Sequence, residues 1–171
     1  MFMGKYLITG RQGSGKTTLI KMLQKRGFAA YNTDDLPEAT KLQDIKSGEA
    51  IDWPDGKVDW SNYSWNWQRK EIENLLHSAD VVFIGAVVSN QKDFYDLFDR
   101  IFVITLSSDS LRLRLESHEH ASHHLPGVIE RILTNHQAKQ RSFINEGATP
   151  INGERPPSDI VDELLEQLSL H

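Results

Sequence analysis

Gly10, Gly15, Lys16 and Thr17 stand at the spacing G-x-x-x-x-G-K-[ST], inside the stretch YLITGRQGSGKTTLIKMLQKRG. Each residue type answers a need of phosphate binding. Glycines let backbone amides turn inward around an anion, and the start of a helix adds its partial positive charge. Lys16 would reach the β- and γ-phosphates of a nucleoside triphosphate, and the Thr17 hydroxyl would ligate magnesium. Gly13, Ser14 and Thr18 complete the candidate nucleotide-binding set.

Such a loop is informative only where a strand feeds it and a helix leaves it. Tyr6–Ile8 is a short apolar run before it. Lys16–Arg26 follows, with Leu19, Ile20, Met22 and Leu23 as a helical apolar set stopped by Gly27. Further runs suited to buried strands occur at Phe28–Tyr31, Val81–Ile84 and Ile101–Leu106. A helix with Trp67, Ile72, Leu75 and Leu76 as apolar positions precedes the third strand. Leu111–Glu116 and Val128–Phe143 read as helices beyond the fourth. Ser158 is expected to cap a closing helix whose apolar face is Ile160, Val161, Leu164, Leu165 and Leu168. Strands alternating with helices predict an α/β fold with a parallel sheet covered on both faces.

Leu36–Trp67 fits neither pattern. It holds all four tryptophans around a Pro-Asp-Gly turn signal. We expect an insertion lying over the carboxyl ends of the strands, where open α/β sheets bind ligands.

The 171 residues suit one domain with a sizeable core. With 39% hydrophobic and 25% charged residues the composition is that of a soluble globular protein. No run approaches the roughly eighteen apolar residues of a membrane span, and the N-terminus lacks the form of a signal peptide. Cysteine is absent, which excludes disulfides and thiolate metal sites. A net charge of -5 argues against a general nucleic-acid surface. A cytoplasmic protein acting on a small molecule, as monomer or homodimer, is the expectation.

A phosphate loop serves switches, motors and kinases. A switch needs D-x-x-G and N-K-x-D; neither occurs, and NQKD at 90–93 has the wrong order. A motor or regulatory ATPase needs an apolar strand ending in an acid to hold magnesium and polarise water. The third strand instead ends VVFIG, with Gly85 in that place. These features leave a kinase, with an ATPase or nucleotide-dependent regulatory module as the alternative of another class.

YNTDD after the second strand, together with this order of features, resembles the small phosphate-loop kinases of the adenylate, shikimate and gluconate kinase superfamily. The resemblance implies a single kinase domain, a three-layer sandwich with a five-stranded parallel sheet in the order 2-3-1-4-5. Residues 36–67 would be the acceptor-binding insertion and 111–143 a lid closing over ATP and magnesium. Asn32-Thr33-Asp34 resembles the D-x-D of shikimate kinases with Asn32 replacing the first acid. Asp34 would then accept a hydroxyl proton or order a magnesium-bound water, with Asp35 in reserve. An Asx turn or helix cap is the plain structural alternative. LRLRLESHEH resembles the lid signature R-L-x-x-R, placing Arg114 against adenine and His118 at the second arginine. VIERIL would bring Arg131 to the transferring phosphoryl group; a solvated helix face is the alternative for Arg112, Arg114 and Arg131. ATPING at 148–153 resembles the fifth strand and the loop bordering adenine.

His120, His123 and His124 have a spacing that zinc could use, but they fall in a polar loop broken by Pro126-Gly127. The tryptophans suit either core or a stacking surface for an aromatic acceptor. GAVVSN at 85–90 carries no arginine to neutralise an acceptor phosphate, which favours an uncharged hydroxyl acceptor such as a nucleoside. A nucleoside monophosphate acceptor remains the alternative through Arg69.

Overall fold

The computed structural model describes residues 3–117 and 126–170; His118, His120, His123 and His124 lie outside them. Five parallel strands form the central sheet: β1 Gly4–Thr9, β2 Ala29–Asn32, β6 Val81–Gly85, β7 Arg100–Thr105 and β8 Thr149–Asn152. Their order is β2-β6-β1-β7-β8. Counted among the parallel strands alone this is 2-3-1-4-5, because the three strands between β2 and β6 in the chain belong to a separate sheet.

Alternation along the strands divides the core. Tyr6, Ile8, Phe83, Phe102 and Ile104 point to one face and meet α1 (Lys16–Lys25) and α6 (Pro157–Gln167). Leu7, Val82, Ile84 and Val103 point to the other, against α2 (Arg69–Leu76) and Phe143 of α5 (His136–Asn145). Successive strand side chains face opposite ways, so a strand buried on both faces must be apolar throughout. A third small cluster joins α3 (Ser108–Ser117) to α4 (Val128–Thr134) through Leu111, Leu115, Val128 and Ile132.

The insertion folds as an antiparallel sheet, order β4-β3-β5, from β3 Thr40–Asp44, β4 Ala50–Ile51 and β5 Tyr63–Trp67. Its turns are closed locally. Asp44 accepts from the amides of Lys46 and Ser47, and Asp59 accepts from Ser61 and Asn62. The sheet is docked by Ser89 N–H donating to the Trp65 carbonyl at 2.7 Å and Trp67 N–H donating to Asn90 Oδ1 at 2.9 Å. It therefore leans on the loop that leaves the carboxyl end of β6.

Three sequence expectations are corrected. Trp67 belongs to β5, and α2 begins only at Arg69. Residues 128–143 form two helices, not one, with Asn135 at φ -120° between them. In an unbroken helix the Ile132 carbonyl would accept from His136 N–H, but here it accepts from Arg11. Finally, Ser158 does not cap the closing helix. Pro157 occupies its first turn, its ring preset for that position, and the Ser158 hydroxyl donates to Asp159 instead.

Candidate active site

The loop between β1 and α1 is shaped by positions that only glycine fits without strain. Gly13 has φ +82° and a Cβ there would lie 2.7 Å from Leu115; Gly15, the residue before α1, has φ +107°. Ser14 is buried, and its Oγ has no hydrogen-bond partner. A buried hydroxyl without a partner costs about 1–3 kcal/mol, so a ligand oxygen would fit there. The cradle thus suits a phosphate chain on its own geometry.

Lys16 is only 7% exposed and donates to the carbonyls of Gly10 at 2.9 Å and Arg11 at 3.0 Å. Burial pushes its pKa down to about 8; Asp34 opposes this and the Arg11 charge adds to it. Thr17 and Thr18 are exposed in the first turn of α1.

A three-ten turn, Thr33–Asp35, ends β2 and sends the two acids different ways. Asp35 Oδ2 accepts from Asn32 Nδ2 at 2.8 Å, and the same amide nitrogen lies 3.3 Å from Thr17 Oγ1. Asp34 Oδ1 accepts from the Trp65 indole N–H at 2.9 Å. Asp34 is not a helix cap: it lies inside the turn, and Asn32 precedes it without a side-chain cap bond. The local oxygens are hard donors: Thr17 Oγ1, the Asp35 carboxylate joined to it through Asn32, and the Asp34 carboxylate within electrostatic reach of Lys16. One protein hydroxyl with carboxylates acting through water fits magnesium, which keeps several waters. Among the described residues no group of three or more acids or histidines gathers to hold an ion by itself.

Arg114 donates to the Ser14 carbonyl at 2.8 Å and to the Gly153 carbonyl at 2.6 Å. It ties the phosphate loop to the loop after β8. Arg112 is taken up on the surface by Glu130 at 2.6 Å. Arg131 lies on α4 with its guanidinium 5.7 Å from the centre of the Trp60 ring. Arg69 is engaged elsewhere, with Glu73, the Asp93 carbonyl and the face of Phe94.

The tryptophans divide. Trp67 is core, 3% exposed, against Phe94 and Phe98, with its indole N–H donated to Thr33 Oγ1 at 2.9 Å. Trp53 meets both Trp60 and Trp65 edge-on, and Trp53 and Trp60 stay exposed at 53% and 37%. Two participants escape sequence reading. Trp65 reaches Asp34 only through strand pairing, and Arg11 stands at a variable position of the loop motif; an arginine inside a phosphate loop was the available signal.

No protein-family model matches the chain. A curated relative, dephospho-CoA kinase of Streptococcus thermophilus, is 22% identical over 144 residues, 67% of this chain and 73% of that protein. A shikimate kinase from Bacteroides thetaiotaomicron has a TM-score of 0.59 at 17% identity, covering 98% of this chain and 99% of its own. A gluconokinase from Sinorhizobium meliloti 1021 gives 0.57 at 19%, covering 98% and 93%. Deoxyadenosine kinase from M. mycoides with bound dATP gives 0.57 at 11%, covering 96% and 99%. At these identities the likeness is one of fold.

Proposed function

We propose that this chain, which has the fold of the small phosphate-loop kinases, transfers the γ-phosphate of ATP to an uncharged hydroxyl acceptor such as a nucleoside. One observation carries the reading. The glycine loop holds the buried ammonium of Lys16 under the electrostatic pull of Asp34, whose carboxylate the Trp65 indole orients from the acceptor-side insertion.

The acceptor hydroxyl oxygen attacks the γ-phosphorus, the bond from that phosphorus to the bridging oxygen breaks, and ADP leaves. Asp34 takes the hydroxyl proton. Lys16 neutralises charge gathering on the phosphate oxygens, and Arg131 serves the moving group from α4. Arg114 borders the adenine from the seam it closes. Magnesium, when bound, would neutralise charge on the phosphates; Thr17 would hold it, with Asp34 acting through water. Residues 111–143 act as the lid and 36–67 as the acceptor-binding insertion.

Gly85 at the end of β6 offers no acid to activate water, which favours transfer over hydrolysis. Arg69 is held on α2 by its own partners, which disfavours an acceptor that brings a phosphate. The relatives name unlike acceptors, so the choice rests on this chain's own insertion. Its exposed Trp53 and Trp60 suit an aromatic acceptor. A screen of nucleosides, nucleoside monophosphates, sugar acids and dephospho-CoA with ATP and magnesium tests this. Transfer to a nucleoside is the expected result. ATP hydrolysis unaffected by any acceptor would replace the kinase with an ATPase.

A further inference from the structure

Several surface arginines are paired with carboxylates among the described residues. Arg26 meets Asp162, Arg69 meets Glu73, Arg112 meets Glu130 and Arg155 meets Glu163. Around the phosphate loop the pattern inverts. Lys16, Arg11 and Arg131 lie within electrostatic reach in series, Lys16 with Arg11 and Arg11 with Arg131. Lys16 bonds to backbone carbonyls, Arg11 to a carbonyl and an amide oxygen, and Arg131 rests on an indole ring. None of the three has a carboxylate in salt-bridge contact among the described residues. Only Lys16 feels a carboxylate, that of Asp34; Arg11 and Arg131 have none among the described residues to balance them, and like charges gathered in partly buried surroundings call for an anion to occupy the gap.

Arg11 is the informative member. Its Nη2 donates to the Ile132 carbonyl at 2.7 Å and to Asn135 Oδ1 at 3.2 Å, where α4 gives way to α5. Its Nε is buried and has no acceptor. The guanidinium is planar and carries five donors, so Nη2 can stay on the helix end while Nε donates to a ligand. Its main chain is already part of the cradle, since its carbonyl accepts from Lys16. Ile132, whose carbonyl Arg11 holds, is the neighbour of Arg131.

We propose that Arg11 reads the terminal phosphate of the nucleotide, donating to it through the unpartnered Nε side while keeping α4, and with it Arg131, seated over the loop. This rests on the nucleotide reading given above and adds to it the residue that distinguishes triphosphate from diphosphate. A planar fork suits the spread charge of phosphate oxygens better than a point cation does.

Calorimetric titration of a non-hydrolysable ATP analogue and of ADP, each with magnesium, tests it without any acceptor. Arg11→Gln should weaken the triphosphate analogue by tenfold or more and ADP by less than threefold. Arg11→Lys can keep a bond to the Ile132 carbonyl, so it should hold the parent's melting temperature yet recover little of the discrimination. Equal weakening of both nucleotides, or of neither, in a folded Arg11→Lys would make Arg11 a strut and overturn the inference alone. A parent protein that binds neither nucleotide would overturn the nucleotide reading and this inference together.

Discussion

The phosphate loop and the tryptophan-bearing insertion face one another across the carboxyl edge of the sheet, and they are built on opposite principles. The loop buries charge. Lys16 is 7% exposed, Ser14 2%, and glycine conformations hold the chain so that carbonyls and cations crowd together. The insertion exposes aromatic surface, and its turns close on their own Asp44 and Asp59. On the function proposed above, the side that would recognise an invariant polyanion is desolvated and shaped by glycine. The side that would recognise one acceptor among many is a small separate sheet whose face can be exchanged without disturbing the core.

The largest effect should come from removing the charge the loop buries. Lys16→Met should lower phosphoryl transfer by on the order of a thousandfold or more, the worth of a buried electrostatic stabiliser. Stability should move the other way. The lysine's folded pKa, about 8, lies below its ordinary 10.5. The unfolded chain therefore binds more protons between these values, so the parent gains stability as pH rises from 8 to 10.5 and carries the full penalty below 8. Lys16→Met escapes that penalty. Its melting temperature at pH 7 should match or exceed the parent's, and the parent's rise in that window should vanish. A steep loss of stability would make the lysine part of the scaffold.

Within the insertion the same contrast can be broken residue by residue. Trp67→Ala should cost about 3–5 kcal/mol, the usual price of emptying an aromatic core site. Trp53→Ala should cost within about 0.5 kcal/mol, as expected for an exposed position. Denaturant titration of both variants separates core from platform. Near-equal losses would mean that the aromatic cluster packs as one unit and presents no surface.

Asp34 joins the two regions. Asp34→Asn keeps the size of the side chain and an oxygen for the Trp65 indole, and it removes the basicity. Turnover should fall by roughly a hundredfold with ATP affinity little changed. Asp35→Asn, adjacent to Thr17 through Asn32, should keep more of the turnover and raise the magnesium concentration needed for half-maximal rate, because Asp35 can share with Asp34 the ordering of magnesium-bound water. Full activity in Asp34→Asn would pass the proton-accepting role to Asp35.

The loop side was legible because its information is local: a glycine spacing, a lysine and flanking apolar runs determine backbone and chemistry together. The parallel sheet followed from the same kind of signal, with Val81–Gly85 and Arg100–Thr105 apolar on both faces. The internal structure of the insertion was not legible, because its contacts are long-range. Thr40 pairs with Trp67 across the insertion, and only that register brings the Trp65 indole to Asp34. The break at Asn135 carries no glycine or proline; the bonds that meet it come from Arg11, over a hundred residues away in the chain. The cap of α6 was legible and misread, since proline at the first helical position outranks the serine after it.

The smallest effect tests whether the two regions communicate directly. Trp60 of the insertion and Arg131 of α4 meet through one cation–π contact, 5.7 Å from guanidinium to ring centre. At a half-exposed site such a contact contributes about 0.5–1 kcal/mol, which corresponds to a two- to fivefold change in a local opening equilibrium. Trp60→Leu keeps an apolar side chain and removes the ring's negative face. Amide exchange across Val128–Thr134 should then quicken by that factor, while the buried amides of β7 keep the parent's rates. A non-hydrolysable ATP analogue should slow exchange in α4 in both proteins, because nucleotide holds the lid through Arg11 and Arg131 whatever the insertion offers. If α4 exchanges identically in the parent and Trp60→Leu, the contact carries no coupling and the insertion recognises its acceptor independently of the lid. If the analogue leaves α4 unprotected in both, this helix is scaffold and Arg131 loses its assigned role at the phosphoryl group.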